Sequence, residues 1–340
     1  MCREPVPVPP RSRLESLPVE LVQMIFLRCL EFNLPRASIH IAKALSDPVL
    51  YIWLVRLAFS SANSGTRDDF FTPDYIPPPL DFFALSQQQR WELQGIILEC
   101  RWCTLSLMRR CQRDYLRRVI ARNCPHLILS TEDRHALMNL EFPHEDVDGS
   151  LLDSPKGMQG VADLLIHAKV AETNKDCWVE VFFNSGTLKI TKHRYLLFGD
   201  ELAKLPSCFF TRMPDKLLCP PWTESKLEFL SLLSGDAYID ENSSYTRSKR
   251  VLRQVIRDRD FATFERLLGF PVVIRNCYQN GNLWPVLPSH FRLALKCADE
   301  RNDPFVNLLV DRRWDDIPDS KLDLKDDLLR KVGRDSMSMN

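Results

Sequence analysis

The stretch LESLPVELVQMIFLRCL, Leu14 to Leu30, decides how the amino-terminal part of this chain folds. Leu17, Leu21, Met24, Ile25 and Cys29 recur at helical spacing and form one apolar stripe. Phe26 and Leu30 fall on an adjacent strip, and Val22 widens it, so the apolar arc exceeds what one core contact needs. Pro18 suits a helix start, where a missing N–H costs nothing. Glu20 is placed to interact with the positive end of the helix dipole.

Further helices follow with their own start signals. Ser38 is positioned to cap IHIAKAL, and Asp47-Pro48 supplies a cap and a first-position proline for VLYIWLVRLAF. Pro35 forbids a continuous helix between the first two. These neighbours can cover one side of the opening helix. The other side, centred on Leu17, Pro18 and Ile25, is left for a second protein.

Beyond residue 60 the composition changes. Residues 61–85 are polar and rich in proline and read as a linker, and residues 1–12 read as a flexible proline-rich tail. Ser86 opens a helical block over residues 86–160 with a Ser-x-x-Gln capping box. Residues 161–320 read as helical hairpins, each an apolar helix behind a charged turn, and residues 321–340 as a charged tail. Phe264-x-x-Leu267-Leu268 and Phe305-x-x-Leu308-Leu309 are in register, which hints at a helical-repeat array, with FLSLL at Phe229–Leu233 as another member. The pairs SKRVLRQVIRDRDFATFERLLGF and SHFRLALKCADERNDPFVNLLVDRRW resemble the inner and outer helices of ankyrin-like repeats, without the Thr-Pro-Leu signature. Trp178–Lys192 reads either as a helix in register with the other hairpins or as a β-hairpin with a Gly turn. The register favours helix.

Composition narrows the function classes. The chain has 340 residues, with 45 Lys plus Arg against 45 Asp plus Glu, so overall charge points to neither nucleic acid nor an acidic substrate. Eleven glycines, roughly 3% against a usual ~7%, argue against glycine-cradled phosphate sites. The 23 prolines act as punctuation between helices. Eleven scattered cysteines, several inside apolar helical patterns, suit packing rather than a disulfide framework. MCREPVPVPPRSR lacks the apolar core of a secretory signal, and the longest apolar run, Val49–Phe59, is too short to span a membrane and contains Arg56. Cytoplasm, nucleus or both is the expected compartment, and the fold expected is mainly α with minor β.

LPVELVQMIF resembles the opening of an F-box, in which Leu-Pro-x-Glu precedes an apolar residue and then Ile-Phe. The match covers Leu17, Pro18, Glu20, Leu21, Ile25 and Phe26, and SDPVLYIW, with Trp53, is similar to the end of the same motif. The resemblance covers residues 13–60, and the segment looks similar to a group of filamentous-fungal F-box-type proteins. It implies a three-helix F-box that docks a Skp-type adaptor and, through it, a cullin-RING ubiquitin ligase, while the remainder captures a protein substrate. It implies no catalysis and no cofactor. The six matched residues are the expected adaptor contacts, and no substrate-binding residue can be named.

Other constellations are weaker. Cys100 and Cys103 in CRWC have the spacing of half a zinc site, with Cys111, or Cys124 and His126, as completing ligands, but the rest of a zinc motif is missing. Arg101 to Arg122 carries seven arginines and one acid, Asp114, and Arg109, Arg110, Arg113, Arg117 and Arg118 recur at helical spacing. Such a face is first of all solvated, then a surface for an acidic partner, and last a nucleic-acid surface. PHEDVD, Pro143 to Asp148, groups His144, Glu145, Asp146 and Asp148 but lacks the glycine and terminal acid of a calcium loop. No nucleophile, phosphate or dinucleotide fingerprint occurs. The sequence therefore favours a non-catalytic substrate-recruiting subunit. The rival readings are an F-box-bearing scaffold acting outside ubiquitin ligation and a nucleic-acid-associated factor using the Arg101–Arg122 helix.

Overall fold

A computed structural model describes residues 12–62, 70–140, 162–191, 201–275, 283–299 and 301–333. The fold is mainly α with a small sheet, and it divides into two compact units, one within residues 12–206 and one within 207–333.

The first unit begins with α1 (Val19–Cys29), α2 (Leu34–Ala37), α3 (Ile39–Ala44) and α4 (Pro48–Phe59). The start signals act as their chemistry requires. Ser38 Oγ accepts from His40 N at 3.1 Å and Asp47 Oδ1 from Val49 N at 2.9 Å. Helix α4 is apolar nearly all round, with Leu50, Ile52, Leu54, Val55, Leu57, Ala58 and Phe59 buried, so it needs cover on several sides. Helices α5 (Gln87–Glu99) and α6 (Leu105–Asn123) pack on it, and the Ser86–Gln89 capping box starts α5. Arg56 of α4 meets Asp114 of α6 at 2.7 Å, and Gln94 Nε2 donates to the Ala58 carbonyl at 2.7 Å, satisfying polar groups inside this core.

Strand β1 (Leu127–Ile128) and helix α7 (Thr131–Met138) follow, then β2 (Leu164–Val170), β3 (Asp176–Phe182), β4 (Thr187–Thr191) and β5 (Glu201–Lys204). The five strands form one antiparallel sheet in chain order. The expected helix over Trp178–Lys192 is therefore corrected to a β-hairpin. Trp178 pairs with Thr191 and Phe182 with Thr187. Buried Cys177, Val179 and Val181 alternate with more exposed neighbours, the period-two pattern of a half-buried strand. Gly186 at φ +61° makes the turn.

Three domain boundaries are also corrected. Residues 70–82 are no linker: Phe70, Tyr75, Ile76, Leu80 and Phe82 are buried, because their aromatic and aliphatic surface outweighs the proline punctuation. The helical block ends at Met138, and pairing of β1 with β2 carries the first unit past the expected break at residue 160. The expected hairpin domain of residues 161–320 thus begins with a sheet that belongs to the first unit. The tail expected at residues 1–12 and the acidic PHEDVD segment lie, apart from Ser12, outside the described residues.

The second unit contains α8 (Glu224–Ser234), β6 (Tyr238–Asp240), α9 (Thr246–Asp258), α10 (Phe261–Leu268), β7 (Val273–Ile274), α11 (Pro288–Cys297), α12 (Pro304–Arg313) and α13 (Leu322–Val332). Helix α9 packs on α10 and α11, and α12 packs on α10 and α11, so two helix pairs lie side by side in the same order. The aligned Phe264 and Phe305 rings meet in this layer at 4.9 Å. Strands β6 and β7 pair in parallel. Helix α13 closes the array against α11 and α12, burying Leu324, Leu328, Leu329 and Val332, which corrects the expected tail at 321–340 over its described part. Among the described residues no helix is long and apolar enough to cross a membrane.

Candidate docking face on the first helix

Helix α1 has two faces. Val22, Phe26 and Leu27 point into the first unit and are at most 6% exposed. Leu21, Met24 and Ile25 share the opposite face at 48%, 43% and 39% exposed, and Arg28 continues the same row. Leu17 and Val19 extend this surface at the amino end, and Pro18, whose carbonyl accepts from Leu21 N at 3.0 Å and Val22 N at 3.2 Å, is exposed beside them. Glu20 is exposed in the first turn. Ile39 on α3 is 70% exposed. Of the six residues matched to the motif, Leu17, Pro18, Glu20, Leu21 and Ile25 lie at this surface. Phe26 does not. It packs edge-on against Phe32, with ring centroids 5.6 Å apart, and its assignment as a partner contact is corrected to a core role.

A shallow groove of about 320 Å³ borders the face, lined by Leu17, Val19, Val22, Ile41, Ala44 and the polar side chains of Glu15, His40 and Lys43. Its walls are pinned by two contacts. Gln23 Nε2 donates to the Ala44 carbonyl at 2.9 Å, and Ser38 Oγ donates to Glu15 Oε1. The Ser38 hydroxyl, with help from the Ser12 amide, holds the Glu15 carboxyl down at about 2. The groove rim is therefore an ionised carboxylate facing a lysine and a histidine across an apolar floor. That suits recognition of a complementary surface, and nothing in it pairs a nucleophile with a base.

The remaining candidates find structural employment. Cys103 and Cys111 are buried, and burial pushes the Cys111 thiol up to about 12, so it packs as a protonated apolar group. Cys100 Sγ donates to the Ile96 carbonyl at 3.3 Å. Among the described residues no three His, Cys, Asp or Glu side chains come together to hold a metal ion. The arginine helix is α6, and much of its charge faces its own unit. Arg109 donates to the carbonyls of Asn184 at 2.7 Å and Phe183 at 3.3 Å, tying α6 to the β3–β4 turn. Arg118 donates to the Phe70 carbonyl at 2.7 Å and to Asp74 at 3.0 Å. These two arginines anchor the very segments that the sequence pattern leaves as linker and helix.

Two surfaces escaped sequence reasoning. One is an aromatic depression of about 350 Å³ lined by Phe71, Phe82 and Phe83, whose signal was the FF pairs within the proline-rich stretch. The other is a set of cations on α9 and α11, legible as the recurring Arg and Lys in RVLRQVIR and HFRLALK. No protein-family model, curated protein or solved structure matches this chain.

Proposed function

We propose that this chain is the non-catalytic, substrate-recruiting subunit of an SCF-type cullin-RING ubiquitin ligase, with residues 13–60 acting as an F-box that docks a Skp-type adaptor. One observation carries the reading: Leu17, Pro18, Leu21, Met24 and Ile25 form a contiguous apolar surface on α1, while the opposite face of the same helix is buried in its own unit. Scattered exposed leucines need no explanation, whereas a clustered row on one helix face marks an interaction surface. Full burial of each such side chain is worth roughly 1.5–3 kcal/mol. A few central anchors then dominate affinity, with Glu20 and Arg28 at the rim.

The helix pairs α9/α10 and α11/α12, read as a short ankyrin-like array, would hold the recruited protein, since stacked pairs present an extended surface. The test is affinity purification of the intact chain with identification of what is bound. Recovery of adaptor together with cullin supports the reading, and adaptor without cullin reassigns the chain as an F-box-bearing scaffold outside ubiquitin ligation. Retention of adaptor by a chain carrying Leu21→Asp and Ile25→Asp would place the interface elsewhere.

A further inference from the structure

Several arginines of the second unit are matched with carboxylates, Arg247 of α9 among them. Arg259 meets Asp303, Arg266 meets Glu224, Arg275 meets Glu241 at 3.1 Å, and Arg312 meets Glu265 at 2.9 Å. Other cations on α9 and α11 are not so matched. Lys249, Arg253 and Arg257 recur every four residues on α9, and Arg292 and Lys296 do the same on α11. Among the described residues none of these five has an ion-pair partner. Arg250 reaches a carboxylate only at 3.7 Å, and that group, Asp215, is already met by Arg247 at 2.7 Å and Arg212 at 3.2 Å.

The two helices pack against each other. His290 Nε2 lies 3.3 Å from the Lys249 carbonyl, and Trp284 Nε1 donates to the Ser248 carbonyl at 3.2 Å, so α11 starts beside the start of α9. Leu252 and Val255 of α9, and Phe291 and Ala294 of α11, are buried. The field of Lys249 and Arg253 also reaches His290 on α11, where both oppose its protonation. Like charges along a helix row repel one another, and among the described residues no carboxylate pairs with these five.

We propose that the cation array on α9 and α11 receives an acidic peptide segment of a partner protein, an extended stretch with several carboxylate or phosphate groups. The spacing fits. Cations four residues apart on a helix are separated by about 6 Å, and same-face side chains of an extended peptide repeat at roughly 6.6 Å. A long nucleic acid is disfavoured on two counts: the cations, of which Lys249 and Arg253 are half-buried, have no exposed aromatic side chain among them on α9 or α11 on which bases could stack, and the chain's net charge is zero. The proposal rests on the reading of this unit as the part that holds a recruited protein, and names the chemistry of what it holds.

The experiment uses the full chain and a fluorescein-labelled dodecapeptide with Glu at alternate positions, its Gln counterpart and a phosphoserine version, read by anisotropy. The Glu peptide is expected to bind, the Gln peptide to bind about tenfold or more weakly, and rising salt to weaken the complex. Arg253→Gln with Arg292→Gln should lose roughly tenfold in affinity at an unchanged melting temperature, and Arg253→Lys with Arg292→Lys should retain binding. Tighter binding of the phosphoserine peptide assigns phosphate as the preferred group, and equal binding assigns carboxylate. Equal affinity for the Glu and Gln peptides overturns the proposal, as does a single-stranded oligonucleotide of matching charge that displaces the peptide at lower concentration. Leu21→Asp with Ile25→Asp, which removes the adaptor surface, should leave peptide binding intact, so failure of either idea is visible separately.

Discussion

A methyl group added at Gly186 would sit 2.1 Å from the Leu205 carbonyl oxygen and 2.3 Å from Gln112 Nε2, at a φ of +61°. Neither the backbone oxygen nor the left-handed conformation can yield, so Gly186→Ala should cost roughly 2–4 kcal/mol. Urea unfolding of the first unit checks this, and a midpoint equal to wild type would refute the tight turn. His290 offers a second test at the same scale. It is fully buried, its Nδ1 accepts from Leu287 N at 2.9 Å, and burial lowers its pKa from 6.5 to about 4. The unfolded chain therefore takes up a proton below pH 6.5 that the folded chain refuses until about pH 4. Stability contributed by neutral His290 is full above that window and falls as pH drops through it, by about 3 kcal/mol. His290→Gln should flatten the slope of unfolding free energy between those two pH values, and an unchanged slope would assign it to other groups. Glu15 acts lower on the scale. Its depressed pKa helps the fold above the ordinary carboxylate range, and that help is lost as pH falls towards about 2.

Helix α1 shows how far an element can be read from its own residues. Its amphipathic spacing and the caps at Ser38, Asp47 and Ser86 were legible because both depend on neighbours within one or two turns. The outward side centred on Leu17, Pro18 and Ile25 was legible too, but the inward place of Phe26 was not, since it is adjacent to Ile25 in sequence and only the position of Phe32 and the helices beyond separates them. The same limit explains the misread hairpin: Trp178–Lys192 has an aromatic and β-branched content that suits strands, but its partners β2 and β5 lie outside any local window. The two faces of α1 make opposite predictions. Phe26→Ala should destabilise the first unit by about 3 kcal/mol, as expected for a buried ring. Leu21→Asp with Ile25→Asp should move its melting point little, because both side chains already meet water, while abolishing the adaptor capture proposed for this face. A large loss of stability in the exposed-face variant would mean that this surface is covered by the chain itself.

At the scale of the whole molecule, the divisions drawn from composition failed where distant segments pair. Ser61 N donates to the Lys204 carbonyl at 3.0 Å, and Lys204 N donates to Ser61 Oγ at 2.8 Å, so the start of the expected linker and a strand of the expected hairpin domain belong to one unit. The carboxyl-terminal end failed for a different reason. LDLKDDLLRKV is rich in charge, yet its leucines and valine recur at helical spacing, and α13 lays them over α11 and α12. A stacked array ends in apolar surface unless a last element covers it, and α13 is that element. Removing residues 321–340 should therefore expose the flank of α11 and α12. Backbone amides of those two helices should lose protection in hydrogen exchange, and the emission of Trp284, fully buried beside α9, should shift to the red. Amides of β2, β3 and β4 should exchange as in the full chain, because they belong to the other compact unit. Undiminished protection of α11 in the shortened chain would show that the array is stable without its cover, and α13 would then be an appendage whose buried leucines contribute little.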